Sequence, residues 1–254
     1  MRVLLIEDHS QLAGLVRQEL QEKYGYKTTS VRDPLSARKA YENEEYDLAI
    51  VDLLYEHLNE EFYAACYRRE VDIRRSQLLI TGLLAARDLS ASPRNTKVVV
   101  WTSGEPNRRL HLLYAYEELG LRVYCSKSSG TGTADTLLSA ILAAAEDREF
   151  ADPVLNSYLP GRSDPKIGAT IMRDPARRAL WRALALGAMS RSEISDITKY
   201  SKRTIGNQIP EMLSDLVEFD PGIRLTTAKM AQVASYASRN WEFFLDQVVH
   251  DRWP

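Results

Sequence analysis

The strongest constraint on the fold is an alternation in the first half of the chain between short strand-like runs and helical patterns. Val3–Ile6, Lys27–Val31, Leu48–Leu53, Val98–Thr102 and Arg122–Cys125 read as strands. Between them, Ser10 can cap a helix carrying Leu12, Leu15, Val16 and Leu20 on one face, and Asp33-Pro34 supplies a cap with proline at the first helical position. Ile80–Leu89 reads as a crossover helix, Asn107–Leu119 as a helix ended by Gly120, and Thr133–Asp147 as a last one. Strands that alternate with helices fold as a doubly wound α/β unit, here a five-stranded parallel sheet with helices on both faces. The 55 residues from Leu48 to Thr102 exceed the roughly 30 of one strand–helix–strand unit. An insert is therefore expected at about 56–77.

In such a sheet ligands bind beyond the carboxyl ends of the strands. Those ends carry Glu7 and Asp8 after the first strand, Asp52 after the third, Thr102 on the fourth and Lys127 after the fifth. Three gathered carboxylates repel one another unless a cation sits among them, and Mg²⁺ takes hard oxygen ligands while keeping several waters. Lys127 adds a fixed positive charge and Thr102 a hydroxyl donor. The set suits phosphoryl transfer to a carboxylate, with Asp52 as the in-line nucleophile.

Four strings carry a resemblance to a known family. Val3-Leu4-Leu5-Ile6-Glu7-Asp8, Leu48-Ala49-Ile50-Val51-Asp52, Val99-Val100-Trp101-Thr102-Ser103 and Tyr124-Cys125-Ser126-Lys127 make residues 1–147 similar to the receiver domain of two-component response regulators, the CheY-like, flavodoxin-like fold. The resemblance implies that Asp52 is the phosphoacceptor and that Glu7, Asp8 and Asp52 hold Mg²⁺ together with the backbone carbonyl of Leu54. It also implies that Thr102 and Tyr124 are the pair that shifts on phosphorylation, and that a sensor histidine kinase is the partner. The chain departs from the family at Leu53-Leu54-Tyr55-Glu56, which replaces the usual Met-Pro type of turn, and at Ser103, where a smaller residue is common.

The chain has 254 residues, enough for two cores, with 33 basic and 35 acidic residues. This composition argues against a disordered chain or a strongly basic packaging protein. Residues 148–170 hold Pro153, Pro160, Gly161, Pro165 and Gly168 with no sustained period, which reads as a linker. An all-helical domain is expected over 171–254. Between Arg173 and Ile209 eight basic residues face three acidic ones, a charge balance that fits either a nucleic-acid contact or a solvated helix face. A helix, the Gly187–Ser190 turn, a second helix with Ile194 and Ile197, and a third capped by Ser201 with Ile205, Ile209, Met212 and Leu216 form a helix-turn-helix candidate.

Met189-Ser190-Arg191-Ser192-Glu193-Ile194-Ser195 and Tyr200-Ser201-Lys202-Arg203-Thr204-Ile205-Gly206-Asn207-Gln208-Ile209 resemble the LuxR/FixJ-type output domain. That resemblance implies promoter DNA as a partner. Lys199, Lys202 and Arg203 suit phosphates, and Asn207 and Gln208 suit base edges. Thr204 belongs to the same exposed helix start. Pro210 is expected to bend or stop this helix, and Gly206 and Asp215 stand where the family often has lysine. Beyond Leu225, Trp241, Phe244, Leu245, Val248 and Val249 make an apolar stripe that suits either packing on its own domain or a dimer seam.

Together these readings describe a DNA-binding response regulator. Phosphorylation of Asp52 would shift its homodimerisation and promoter binding. The alternatives are a regulator that works without phosphate and an adaptor whose helical half binds protein. No other catalytic constellation is present, and an enzyme is not expected. No apolar run approaches the roughly 20 residues that span a bilayer. The start of the chain turns acidic at Glu7-Asp8, too early for a secretion signal. The two isolated cysteines, Cys66 and Cys125, fit a reducing compartment such as the cytoplasm.

Overall fold

The computed structural model describes residues 1–55, 81–127, 133–161, 163–220, 222–224 and 226–253. The expected insert at 56–77, with Cys66, lies outside them. The chain forms two compact units, Met1–Leu159 and Pro160–Pro254.

The first unit is a parallel sheet. Its strands are β1 (Arg2–Ile6), β2 (Lys27–Val31), β3 (Leu48–Val51), β4 (Lys97–Thr102), β5 (Val123–Ser126) and β6 (Phe150–Ala151), in the order β2-β1-β3-β4-β5-β6. The registers Ile6↔Val51 and Val51↔Val100 align the strand ends that carry the candidate residues. The helices are α1 (Ser10–Tyr24), α2 (Pro34–Asn43), α3 (Leu83–Ser90), α4 (Arg109–Glu117) and α5 (Thr133–Ala145). Val3, Leu5, Leu48, Ile50, Val99, Trp101, Val123 and Cys125 form one core layer with Ala13 and Leu20 of α1 and with Leu137, Ala140, Ile141 and Ala144 of α5. Alternation sends Leu4, Ile6, Ala49, Val51, Val100 and Tyr124 to the other face, where they are equally buried. Strands buried on both faces are why these runs are continuously apolar.

Several expectations need correction. The five expected strands are present, but β6 adds a sixth at the edge, through Val123↔Phe150 and Tyr124↔Ala151. The 148–170 segment is thus not simply a linker, since Asp152, Leu155 and Ile167 are buried. A two-residue strand among prolines carries no readable period. The cap of α1 is His9, whose Nδ1 accepts from the Leu12 N–H at 3.2 Å, rather than Ser10. The crossover helix begins at Leu83, because Thr81 bridges antiparallel to Leu54 and the Gly82 N–H donates to the Leu53 carbonyl at 3.0 Å.

The second unit holds α6 (Pro175–Ala185), α7 (Arg191–Thr198), α8 (Lys202–Phe219), α9 (Lys229–Arg239), α10 (Trp241–Leu245) and α11 (Gln247–Arg252). A reciprocal cap starts α7: the Glu193 N–H donates to Ser190 Oγ, and Glu193 Oε2 accepts from the Ser190 N–H. Lys199, left-handed at φ 64°, ends α7, and Ser201 caps α8 by accepting from the Thr204 N–H at 3.1 Å. Pro210 does not stop α8, which runs on to Phe219. Proline deletes one helical hydrogen bond, while buried Ile205, Ile209, Met212, Leu213 and Leu216 anchor the helix on both sides of it. The apolar tail stripe folds back within this unit as two short helices. Phe244 stacks on Trp181 at 4.9 Å between ring centroids, and Leu245, Val248 and Val249 are buried.

Candidate functional site

Each acidic residue reaches the sheet edge by directly following a buried strand, within two residues of its end. Glu7 and Asp8 follow β1, and Asp52 follows β3, its N–H donating to the Ile6 carbonyl at 3.0 Å. All three are buried, and one carboxylate oxygen from each lies within 4.8 Å of the others. Lys127, one residue past β5, places Nζ 2.8 Å from Asp52 Oδ2 and 2.7 Å from Glu7 Oε2. Its backbone N–H donates to the Thr102 carbonyl at 2.9 Å, which locks the ends of β4 and β5 together.

The charges are poorly balanced. Burial pushes the Asp52 carboxyl up to about 7, with the charges of Glu7 and Asp8 adding to the shift and Lys127 opposing it. Burial also raises Glu7, against the pull of Lys127. Burial disfavours the Lys127 ammonium, but Asp52 and Glu7 outweigh it and hold its pKa above the ordinary value. Among the described residues the Lys127 ammonium pairs with two of the three clustered carboxylates, Glu7 and Asp52, and a hard divalent cation is what such a donor set fits. Thr102 is fully buried, and its Oγ1 has no hydrogen-bond partner among the described residues. A buried hydroxyl left in that state suits a ligand oxygen that completes it.

Leu54 is buried beside Asp52, and its N–H donates to Asp52 Oδ1 at 3.4 Å. Tyr124 does not join the cluster. Its ring is buried near Tyr116 of α4, and its hydroxyl donates to the Leu121 carbonyl at 3.1 Å. The sequence reading missed Gly82, whose Cα lies so close to the Asp52 carbonyl that no side chain fits there. The only local signal was a glycine at the start of the crossover helix. It also gave no role to Tyr55, which is buried, with a hydroxyl that no described residue hydrogen-bonds.

In the second unit Lys199, Lys202, Arg203, Thr204 and Asn207 are exposed, and Gln208 is half-buried with its Oε1 enclosed. Thr204 Oγ1 lies 2.9 Å from Ser201 Oγ, within the helix cap. Asp215 is not a spare surface charge, because it forms an ion pair with the buried Arg177. Asp174, at 3.2 Å, and Glu211, at 2.9 Å, complete the surroundings of that guanidinium.

No protein-family model and no curated protein matches the sequence. Solved structures do match in shape. The RcsB response regulator of Salmonella typhimurium superposes with a TM-score of 0.53 at 17% identity, over 91% of this chain and 98% of that one. A two-component response regulator RcsB–DNA complex gives 0.53 at 16% identity, over 92% and 98%. A structure of two RcsB dimers bound to two parallel DNAs gives 0.51 at 16% identity, over the same shares. The chain has the response-regulator fold. The receiver-type sheet matches in strand order from β2 to β5, and an all-helical unit follows it as in RcsB. Among the described residues no helix is long and apolar enough to cross a membrane.

Proposed function

We propose that this chain is a cytoplasmic response regulator in which Asp52 accepts a phosphoryl group from a sensor histidine kinase. The homodimer would then bind promoter DNA through α7 and α8. The observation that carries the reading is the buried set of Glu7, Asp8 and Asp52 within 4.8 Å, with Lys127 2.8 Å from Asp52.

A carboxylate oxygen of Asp52 attacks phosphorus, the donor's bond to phosphorus breaks, and an acyl phosphate results. Lys127, already paired with Asp52 and Glu7, is placed to neutralise oxygens of the incoming group. Thr102 Oγ1 is free to donate to one of those oxygens once they arrive. Glu7, Asp8, Asp52 and the Leu54 carbonyl are the residues that would hold Mg²⁺, which supplies positive charge at the same oxygens. We assign Tyr124 as the aromatic partner of Thr102 in the response, and its burial against α4 supports a role inside the unit rather than at the ligand.

For the second unit, Lys202 and Arg203 occupy the first turn of α8, the end where cations oppose the helix dipole. Two exposed cations at that end are offset when a phosphate sits there. With Lys199 they form the backbone-contacting set, with Asn207 as the base-edge reader and Gln208 and Thr204 beside it.

The test is direct. The full chain, incubated with acetyl phosphate and Mg²⁺, gains the mass of one phosphoryl group, and Asp52→Ala gains none. An unmodified wild-type protein under those conditions would refute the acceptor role. A shift assay at low salt with promoter-region fragments, repeated with Lys202→Ala and Arg203→Ala together, tests the DNA contact; equal binding by both proteins would remove it.

A further inference from the structure

Beyond β6 the chain stays bound to the first unit for several residues. Asp152 is buried and holds the end of β5 at two points. Its N–H donates to the Tyr124 carbonyl at 2.9 Å, and its Oδ2 accepts from the Ser126 N–H at 3.3 Å. Its Oδ1 accepts from the Val154 N–H at 2.9 Å, and its carbonyl from the Leu155 N–H at 2.8 Å. Leu155 is fully buried, and its carbonyl accepts from the Tyr158 N–H at 2.9 Å. The Tyr158 hydroxyl then donates to the Gly104 carbonyl at 3.0 Å.

The two anchor points matter because of their neighbours. Ser126 precedes Lys127, the ammonium that pairs with Asp52 and Glu7. Gly104 follows Thr102 by two residues, and the Lys127 N–H donates to the Thr102 carbonyl. One hydrogen-bonded segment therefore touches the chain beside both groups expected to meet a phosphoryl group. The second unit begins at Pro160, two residues past Tyr158. Pro153, Val154, Asn156 and Ser157 are exposed, so the segment is held not by overall burial but by Asp152 at one end, the buried Leu155 and the Tyr158 hydroxyl at the other. Seven residues tied at these points have little slack to absorb a shift of either anchor.

We infer that Asp152–Tyr158 is a coupling strap between the phosphoryl-acceptor site and the helical unit. Asp152 is a positioning residue that fixes the end of β5 delivering Lys127. Tyr158 carries movement of the Thr102–Gly104 end into the chain that enters the second unit. This rests on the acceptor reading of Asp52.

Hydrogen exchange on the full-length protein, with and without Mg²⁺ plus beryllium fluoride as a phosphoryl mimic, tests the inference. In the wild type the mimic should change exchange at 152–158 and in the second unit. Tyr158→Phe removes only the bond to Gly104. It should bind the mimic as before while the second unit no longer responds, an outcome that a purely structural role would not give. Asp152→Asn keeps an acceptor for Val154 and loses the one for Ser126. It should slow phosphoryl acceptance from acetyl phosphate about tenfold through misplacement of Lys127. If Asp152→Asn fails to fold, the Tyr158→Phe result decides alone. A wild type that binds the mimic, with Tyr158→Phe responding identically in the second unit, overturns the strap and leaves the acceptor reading standing. A wild type that takes up neither mimic nor phosphoryl group overturns the acceptor reading and the strap with it.

Discussion

Gly82 lies against the backbone carbonyl of Asp52, so closely that a Cβ built on it would collide with that oxygen and come within 2.9 Å of Val51 Cγ1. Its backbone is ordinary (φ −72°, ψ −4°), so space rather than torsion requires glycine here. The contact brings the chain back beside the candidate nucleophile, where the Gly82 N–H donates to the Leu53 carbonyl.

Gly82→Ala should therefore be costly out of proportion to its size. The obstructing atoms are backbone and cannot rotate away, so either the Gly82–Leu53 clip or the position of Asp52 must give. The expected loss is about 1–3 kcal/mol, as for overpacking of a tight core, read as a lower urea midpoint. Phosphoryl acceptance should fall as well. A variant with wild-type stability and acceptance would show that the contact relaxes freely.

The charge imbalance at Asp52 gives a pH and metal prediction. A carboxyl raised to about 7 in the folded protein, against about 3.8 unfolded, binds more protons folded than unfolded between those values. Stability should therefore fall as pH rises from about 4 to 7 through this group, with the full penalty present above 7. Asp52→Asn removes the buried charge, so without divalent ions at pH 8 it should melt higher than the wild type. Added Mg²⁺ should stabilise the wild type by about 2.7 kcal/mol at a concentration 100 times its Kd at pH 8, less at that same concentration at pH 5.5, and Asp52→Asn much less. Calorimetry over that pH range checks all three; an Mg²⁺ effect equal in both proteins would place the cation elsewhere.

Much of this site is legible in the sequence, for a physical reason. Apolar runs end where the sheet ends, so Glu7, Asp8, Asp52 and Lys127 could be located by counting. What could not be read depends on pairs distant along the chain. Asp152 on Ser126, Tyr158 on Gly104 and Gly82 on Asp52 leave no local period. The two-residue β6 is too short to alternate. Pro210 looked like a helix stop because local propensity was weighed without the core that holds α8 on both sides. Asp215 looked like a departure from a basic position because its partner, Arg177, lies on another helix.

That pair yields a third prediction. Arg177 is buried, with Asp215, Glu211 and Asp174 around its guanidinium. Removing the cation alone, as in Arg177→Met, leaves the half-buried Asp215 beside Glu211 and Asp174 with only the more exposed Arg173, 4.0 Å away, to offset it. It should cost about 3 kcal/mol in the second unit, the low end for a broken buried pair. Arg177→Met with Asp215→Leu should recover much of that loss, because an apolar pair of similar volume replaces ions that were costly to desolvate. A double-mutant cycle by urea denaturation should thus show strong coupling; additive losses would mean that the two side chains act independently.

The DNA reading makes the last prediction, which separates positioning from base reading. Lys202 and Arg203 are exposed on the first turn of α8, so each should neutralise a phosphate on any sequence. Removing either should lower the slope of log affinity against log salt by about 0.9 per contact and weaken specific and non-specific binding alike. Asn207 is exposed one turn further on and suits a base edge. Asn207→Ala should leave the slope unchanged and cost about 1–3 kcal/mol of discrimination at one base pair. Gln208 is half-buried with Oε1 enclosed, so Gln208→Ala should affect discrimination less than Asn207→Ala. Titrations of one binding fragment and its single-base variants at several salt concentrations distinguish these outcomes. If Lys202→Ala and Arg203→Ala leave the salt slope as in the wild type, α8 does not lie along the DNA backbone, and a protein partner becomes the better reading of the helical unit.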